Sequence, residues 1–152
     1  MAYTAGADAA IAGFEAKYYF RAWRPRTAIP RAAEDGNPKT DGDATWTPLL
    51  TVNHPEYPSA HAFVSTAFTD AIANFFQTDK VTWTIVTSKT AVPQLVITER
   101  TYDDLNALMN EVADARVWAG LHWRFSLADG GQIGRNVARN VSNRFFRPVH
   151  GK

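Results

Sequence analysis

Cysteine is absent from all 152 residues. This excludes disulfide staples, thiolate metal sites and a cysteine nucleophile. Net charge is almost absent too: sixteen Lys and Arg against fifteen Asp and Glu leave +1. Such a balance gives no reason to expect a nucleic-acid or membrane partner. No apolar run approaches the ~20 residues a membrane span requires. Met1–Ala12 holds no basic stretch followed by a long apolar one, so no signal peptide is read there. Internal repeats and low-complexity linkers are also missing. What is present is a 45% hydrophobic and 12% aromatic chain, long enough for a single domain over residues 1–152 with its own core.

The hydrophobic pattern predicts a mostly helical chain. In residues 5–23, Ile11, Phe14 and Tyr18 recur at helical spacing, and Pro25 closes the run. Residues 33–57, with Gly36, Pro38, Gly42, Pro48 and Pro55, read as a long ordered loop of the kind that is more often functional than idle. A helix is expected from about Ser59, with Val64, Phe68, Ile72 and Phe75 as its apolar stripe. Residues 81–98, rich in β-branched side chains such as Val81, Ile85, Val92 and Ile97, predict a short hairpin or an irregular excursion. Thr101-Tyr102-Asp103-Asp104 resembles a capping box ahead of Leu105, Leu108 and Val112, in a helix expected to break near Ala113–Asp114. A last helix is expected from Ser126-Leu127-Ala128-Asp129 to about Phe146, before Pro148. The fold class predicted is an all-α helical bundle.

Three clusters carry chemistry. In the first, Lys17 and Arg24 are seven residues apart. On one continuous helix they would share a face, roughly 10 Å apart along the axis. In the second, Pro58-Ser59-Ala60-His61 places a serine and free backbone amides at a helix N-terminus, where anions bind well. In the third, Arg116 and His122 are separated by six positions, with Gly120 between them. Each cluster alone has an ordinary explanation: a solvated basic face, a helix cap, a core histidine beside a surface arginine. Together, one lysine, two arginines, a serine and two histidines supply what a tetrahedral oxyanion needs. Arginine forks, an ammonium and hydroxyl or amide donors hold the oxygens. One histidine then serves as ligand or nucleophile and the other as acid–base.

The order of these residues resembles the vanadium-dependent haloperoxidases of the type 2 phosphatidic acid phosphatase superfamily. Their pattern is Lys, six residues, Arg-Pro; Pro-Ser-Gly-His; and Ser-Arg, five residues, His, three residues, Asp. Lys17, Arg24, Pro25, Pro58, Ser59, His61, Arg116 and His122 fall on it in register. The flanking Phe20-Arg21-Ala22-Trp23-Arg24-Pro25 and Leu121-His122-Trp123-Arg124-Phe125 are similar to the soluble haloperoxidase branch. The likeness extends from about Gly6 to Phe146.

The resemblance implies vanadate as cofactor, with hydrogen peroxide, halide and a small organic acceptor as reactants. Lys17, Arg24 and Arg116 would bind equatorial oxygens, aided by the Ser59 hydroxyl and the Ala60 amide. His122 would ligate the metal and His61 would handle the protons of peroxide. His54, seven before His61, stands where the family has an aromatic residue for chloride and a histidine for bromide, which points to bromide. Phe14 would line the same halide pocket. The sequence departs from the pattern at Ala60, Ala115 and Ser126, the last replacing an aspartate that orients the histidine nucleophile in phosphatase relatives; Asp129 reads as a cap partner. The family's N-terminal helical region is expected to be missing. Self-association would then cover faces such as Phe68, Ile72 and Phe75. Two other functions fit the same pocket: an acid phosphatase with phosphate bound and His122 as nucleophile, and an inactive oxyanion-binding module.

Overall fold

A computed structural model describes residues 1–87, 96 and 98–147. Its helices are α1 (Ala2–Phe20), α2 (Pro25–Ala28), α3 (Ala60–Phe76), α4 (Leu105–Trp118) and α5 (Arg124–Arg144). Strands β1 (Trp83–Val86) and β2 (Glu99–Tyr102) form the only sheet among the described residues. Helices α1, α3 and α5 make the body, with α3 packed most extensively on the other two. The chain is the helical bundle that the sequence predicts. Among the described residues no helix is long and apolar enough to cross a membrane.

Side-chain size decides which helix faces are buried. The core is Ala5, Ala9, Phe63, Ala67, Ala71, Ala138 and Val141, each wholly out of solvent. On α1 the buried residues Ala5, Ala9, Gly13 and Lys17 recur every four positions. Of the predicted stripe, Ile11 and Tyr18 face solvent, with Ile11 71% exposed, and Phe14 is at the edge of the buried face. On α3 the buried face is Ala62, Phe63, Thr66, Ala67, Thr69 and Ala71. The expected Phe75 faces solvent, and Phe68 is half-buried between Tyr3 and Trp83, with ring centroids 5.4 and 5.7 Å away. Small residues win these faces because the helices approach closely. A Cβ on Gly13 would lie 2.2 Å from the Phe63 ring, and one on Gly134 would lie 2.6 Å from the Phe63 carbonyl oxygen. Burying Phe63 in return stabilises the bundle by roughly 1.5–3 kcal/mol.

Several boundaries differ from the sequence reading for local reasons. Helix α1 stops at Phe20, before Pro25 intervenes, because Arg21 turns left-handed (φ 49°) and caps it. Lys17 and Arg24 are therefore not on one helix face. The N-cap of α4 is Asp104, whose carboxylate accepts from the Asn106 amide at 2.7 Å, rather than Thr101, which pairs within the sheet. Lys80 pairs with that carboxylate from the strand side. Helix α4 runs unbroken through Ala113 and Asp114. Helix α5 begins at Arg124, which puts Ser126 inside its first turn, and Asp129 accepts from the Tyr57 hydroxyl (3.0 Å) instead of serving a cap. Only the first strand of the antiparallel pair falls within the excursion expected over 81–98; the second follows it, so that Trp83 faces Tyr102 and Val86 faces Glu99. Val92 and Ile97, expected within it, lie outside the described residues, as does Pro148.

Candidate functional site

The site lies where one end of each long helix meets the loop of residues 52–59. Lys17 is on the last turn of α1 and is completely buried. Its Nζ donates to the carbonyls of Pro55 (2.9 Å) and Glu56 (3.0 Å). Arg24, the backbone N-cap of α2, reaches the same loop from the other side of the Arg21 break. Its guanidinium donates to the carbonyls of His54 (2.9 Å), Pro55 (3.3 Å) and Leu121 (2.8 Å). The two cations of the first cluster thus meet at the Pro55 carbonyl, brought there by the loop.

Ser59 is the N-cap of α3 by backbone geometry, yet its hydroxyl makes no capping bond. That hydroxyl is buried and has no partner among the described residues. The Ser59 amide donates to the Ser126 carbonyl on α5 at 3.1 Å. This contact requires Gly130, because a Cβ there would sit 2.8 Å from the Ser59 carbonyl oxygen. Ala60 starts the helix, so its amide is one that the helix itself does not use. His61, in the first turn, is exposed at its outer edge.

The third cluster is arranged by the turn after α4. Gly120 takes φ +72°, and its α-carbon packs so closely on Trp46 and Pro48 that a Cβ would lie 2.9 Å from each. The reversal sends His122 inward, where it is buried. Its Nδ1 is 2.7 Å from Glu56 Oε1, and its Nε2 is 3.5 Å from an Arg24 nitrogen. Arg116, on the last turn of α4, is half-buried, and its Nε has no partner among the described residues.

Electrostatics tie the six residues together. Desolvation, then the charges of Arg24 and Arg116, lower Lys17 to about 8 against the partial support of Glu56. Desolvation followed by the positive charge of Arg116, His122, His54 and Lys17 lowers His61 to about 4. Burial lowers Arg24, Arg116 and His122 as well. Lys17 and Arg24 share a single buried carboxylate, Glu56, which already serves His122, and Arg116 forms no salt bridge among the described residues. A bound anion is the group that would relieve all of these at once.

The halide residues of the sequence reading also meet. The rings of Phe14 and His54 are 5.5 Å apart, and Phe14 packs edge-on to Phe63 at 6.1 Å. His54 Nδ1 is 3.2 Å from Arg24, and desolvation followed by the Lys17 charge lowers its imidazole. A hollow of about 360 Å³ opens beside them, lined by Trp23, Arg24, Asn53 and His54 among others. A larger hollow of about 910 Å³, between Met1, Phe75 and Phe146, is at the far end and gathers no titratable cluster beyond Arg139 and Arg147. Glu56 was not foreseen from the sequence. Its one signal was an acid between two prolines, Pro55 and Pro58, immediately before the serine.

The VCPO second helical-bundle domain matches residues 1–151. The chain belongs to the vanadium haloperoxidase family. Solved structures of the family are similar along most of this chain. A bacterial vanadium-dependent iodoperoxidase shares 28% identity with a TM-score of 0.72, over 93% of this chain and 32% of its own. The holo form of a bacterial vanadium-dependent chloroperoxidase gives 25% identity and 0.66, over 85% and 31%. An apo form of such a chloroperoxidase gives 25% and 0.70, over 92% and 35%. The chain spans about a third of the length of these family members. No curated protein matches it significantly.

Proposed function

We propose that the chain binds vanadate and uses hydrogen peroxide to oxidise halide. One observation carries the reading: the buried side-chain atoms without partners among the described residues are Ser59 Oγ, Arg116 Nε, Glu56 Oε2 and Ser126 Oγ, and all four belong to or adjoin this site. Leaving such groups unpaired costs roughly 1–3 kcal/mol each, so three orphaned donors beside cations that form no salt bridge among the described residues fit a tetrahedral oxyanion. Lys17, Arg24, Arg116, the Ser59 hydroxyl and the Ala60 amide would hold its oxygens, and His122 Nε2 would face its centre. Bound vanadate supplies a Lewis acid that polarises peroxide for attack by halide. His61, neutral and open to solvent, would accept and return the peroxide proton. The Phe14–His54 side would receive the halide, bromide on the family pattern, and pass the oxidised halogen to a small organic acceptor. We also propose that the face of Phe68, Ile72 and Phe75, on which Phe75 is exposed, mediates self-association, which light scattering would show as a dimer or larger form.

Halide oxidation by the apo protein, with and without orthovanadate, tests the reading. Activity should appear only with vanadate, be abolished in His122→Ala, and fall about 10²–10⁴-fold in His61→Ala, the usual worth of a general acid–base. An acid phosphatase using the same pocket would hydrolyse phosphate esters without vanadate and be inhibited by it. An inactive module would bind the anion and do neither.

A further inference from the structure

We propose that Glu56 is the positioning residue of His122, fixing its proton on Nδ1 so that Nε2, beside Arg24, keeps a free lone pair for the oxyanion site. The proposal rests on the oxyanion reading of the pocket but stands on its own geometry. The Glu56 and His122 side chains are 0% and 1% exposed, and they meet at 2.7 Å. An ionised carboxylate only accepts hydrogen bonds, so the imidazole nitrogen facing it must carry the proton. The other nitrogen faces an Arg24 nitrogen at 3.5 Å, and a guanidinium only donates. Both neighbours therefore select the same tautomer.

The carboxylate is itself held in place. The same Glu56 oxygen accepts from the Trp123 amide at 3.1 Å, and the Glu56 backbone is tied by its amide to the Ala22 carbonyl (3.0 Å) and by its carbonyl to Lys17 (3.0 Å). The acid thus reaches the histidine from the loop before α3. Ser126, on the α5 side, has no charge with which to do the same.

Long-range proton–nitrogen NMR of the apo protein at pH 8 reads the tautomer directly. The His122 ring should show the Nδ1–H pattern in the parent and in Glu56→Gln, whose amide oxygen still accepts, and lose its single-tautomer pattern in Glu56→Ala. Orthovanadate affinity should fall about 10–100-fold in Glu56→Ala, the usual cost of removing the partner of a metal-bound histidine. Inorganic phosphate affinity should not fall, because the cations that hold oxygens are untouched. A merely structural role would weaken both anions together. An Nε2–H pattern in the parent would overturn the proposal, as would Glu56→Ala with the parent's pattern and vanadate affinity. Should Glu56→Ala not fold, the parent spectrum and Glu56→Gln still decide. A parent with the expected tautomer but no preference for vanadate over phosphate would instead sink the vanadate reading.

Discussion

Helices α1, α3 and α5 each have two unlike ends. Toward one they meet through Ala5, Ala9, Ala67, Ala71, Ala138 and Val141, all buried and all apolar. Toward the other they surround Lys17, Arg24, Ser59 and His122, all buried and all polar. The apolar packing tolerates no added volume, since mid-way along α5 Gly134 lies against the backbone of Phe63 and Ala67. The polar end tolerates no added desolvation without a counter-charge. One end gives the bundle its stability, and the other uses part of it to hold cations close together.

The largest effect should come from disturbing the apolar spacing between α3 and α5. Gly134→Val would place a Cβ 2.6 Å from the Phe63 carbonyl and 2.8 Å from the Ala67 amide. A loss of about 3 kcal/mol is expected for such overpacking, read as a melting point lower by about 6–12 °C. A variant that melts with the parent would erase the contrast between the ends.

Arg116→Met should do the reverse at the polar end. The apo protein should melt no lower than the parent, because a desolvated guanidinium with an unpaired Nε is removed. Vanadate or phosphate should bind roughly 10–100-fold more weakly, the worth of a lost charged hydrogen bond. Calorimetric titration beside thermal melting separates the two quantities, and a variant that loses stability and keeps affinity would make Arg116 a packing residue.

The smallest and most specific effect is in pH. His61 is lowered to about 4 and Lys17 to about 8. Between about pH 4 and 6.5 the unfolded chain binds a proton at His61 that the folded chain refuses, so stability should rise with pH there. The same holds for Lys17 between about pH 8 and 10.5. Saturating phosphate should flatten both slopes by raising the two groups toward their ordinary values. Urea midpoints across pH, with and without phosphate, measure this, and identical slopes in both would mean that the anion binds elsewhere.

The helical bundle and the three clusters were legible because their signals are local: a proline after a run, a serine at a helix start, a glycine between arginine and histidine. The buried faces were not. Ile11 and Phe75 are at helical spacing and more hydrophobic than Ala9 or Ala71, but the close approach of α1, α3 and α5 favours the smaller side chains. The seven-residue spacing of Lys17 and Arg24 suggests one shared helix face, but a left-handed Arg21 separates them and the Pro55 carbonyl reunites them. Glu56 escaped because its partner is 66 residues away, and no short-range pattern records a pairing made across a fold.

Gly130 has a consequence for how the candidate site is set out. It lets α5 lie against the Ser59 backbone, so the separation of α3 from α5 beside Ser59 is a main-chain dimension. A larger residue at position 130 would push the two helices apart there, and the calibre of the proposed anion pocket would change without any change in its charge.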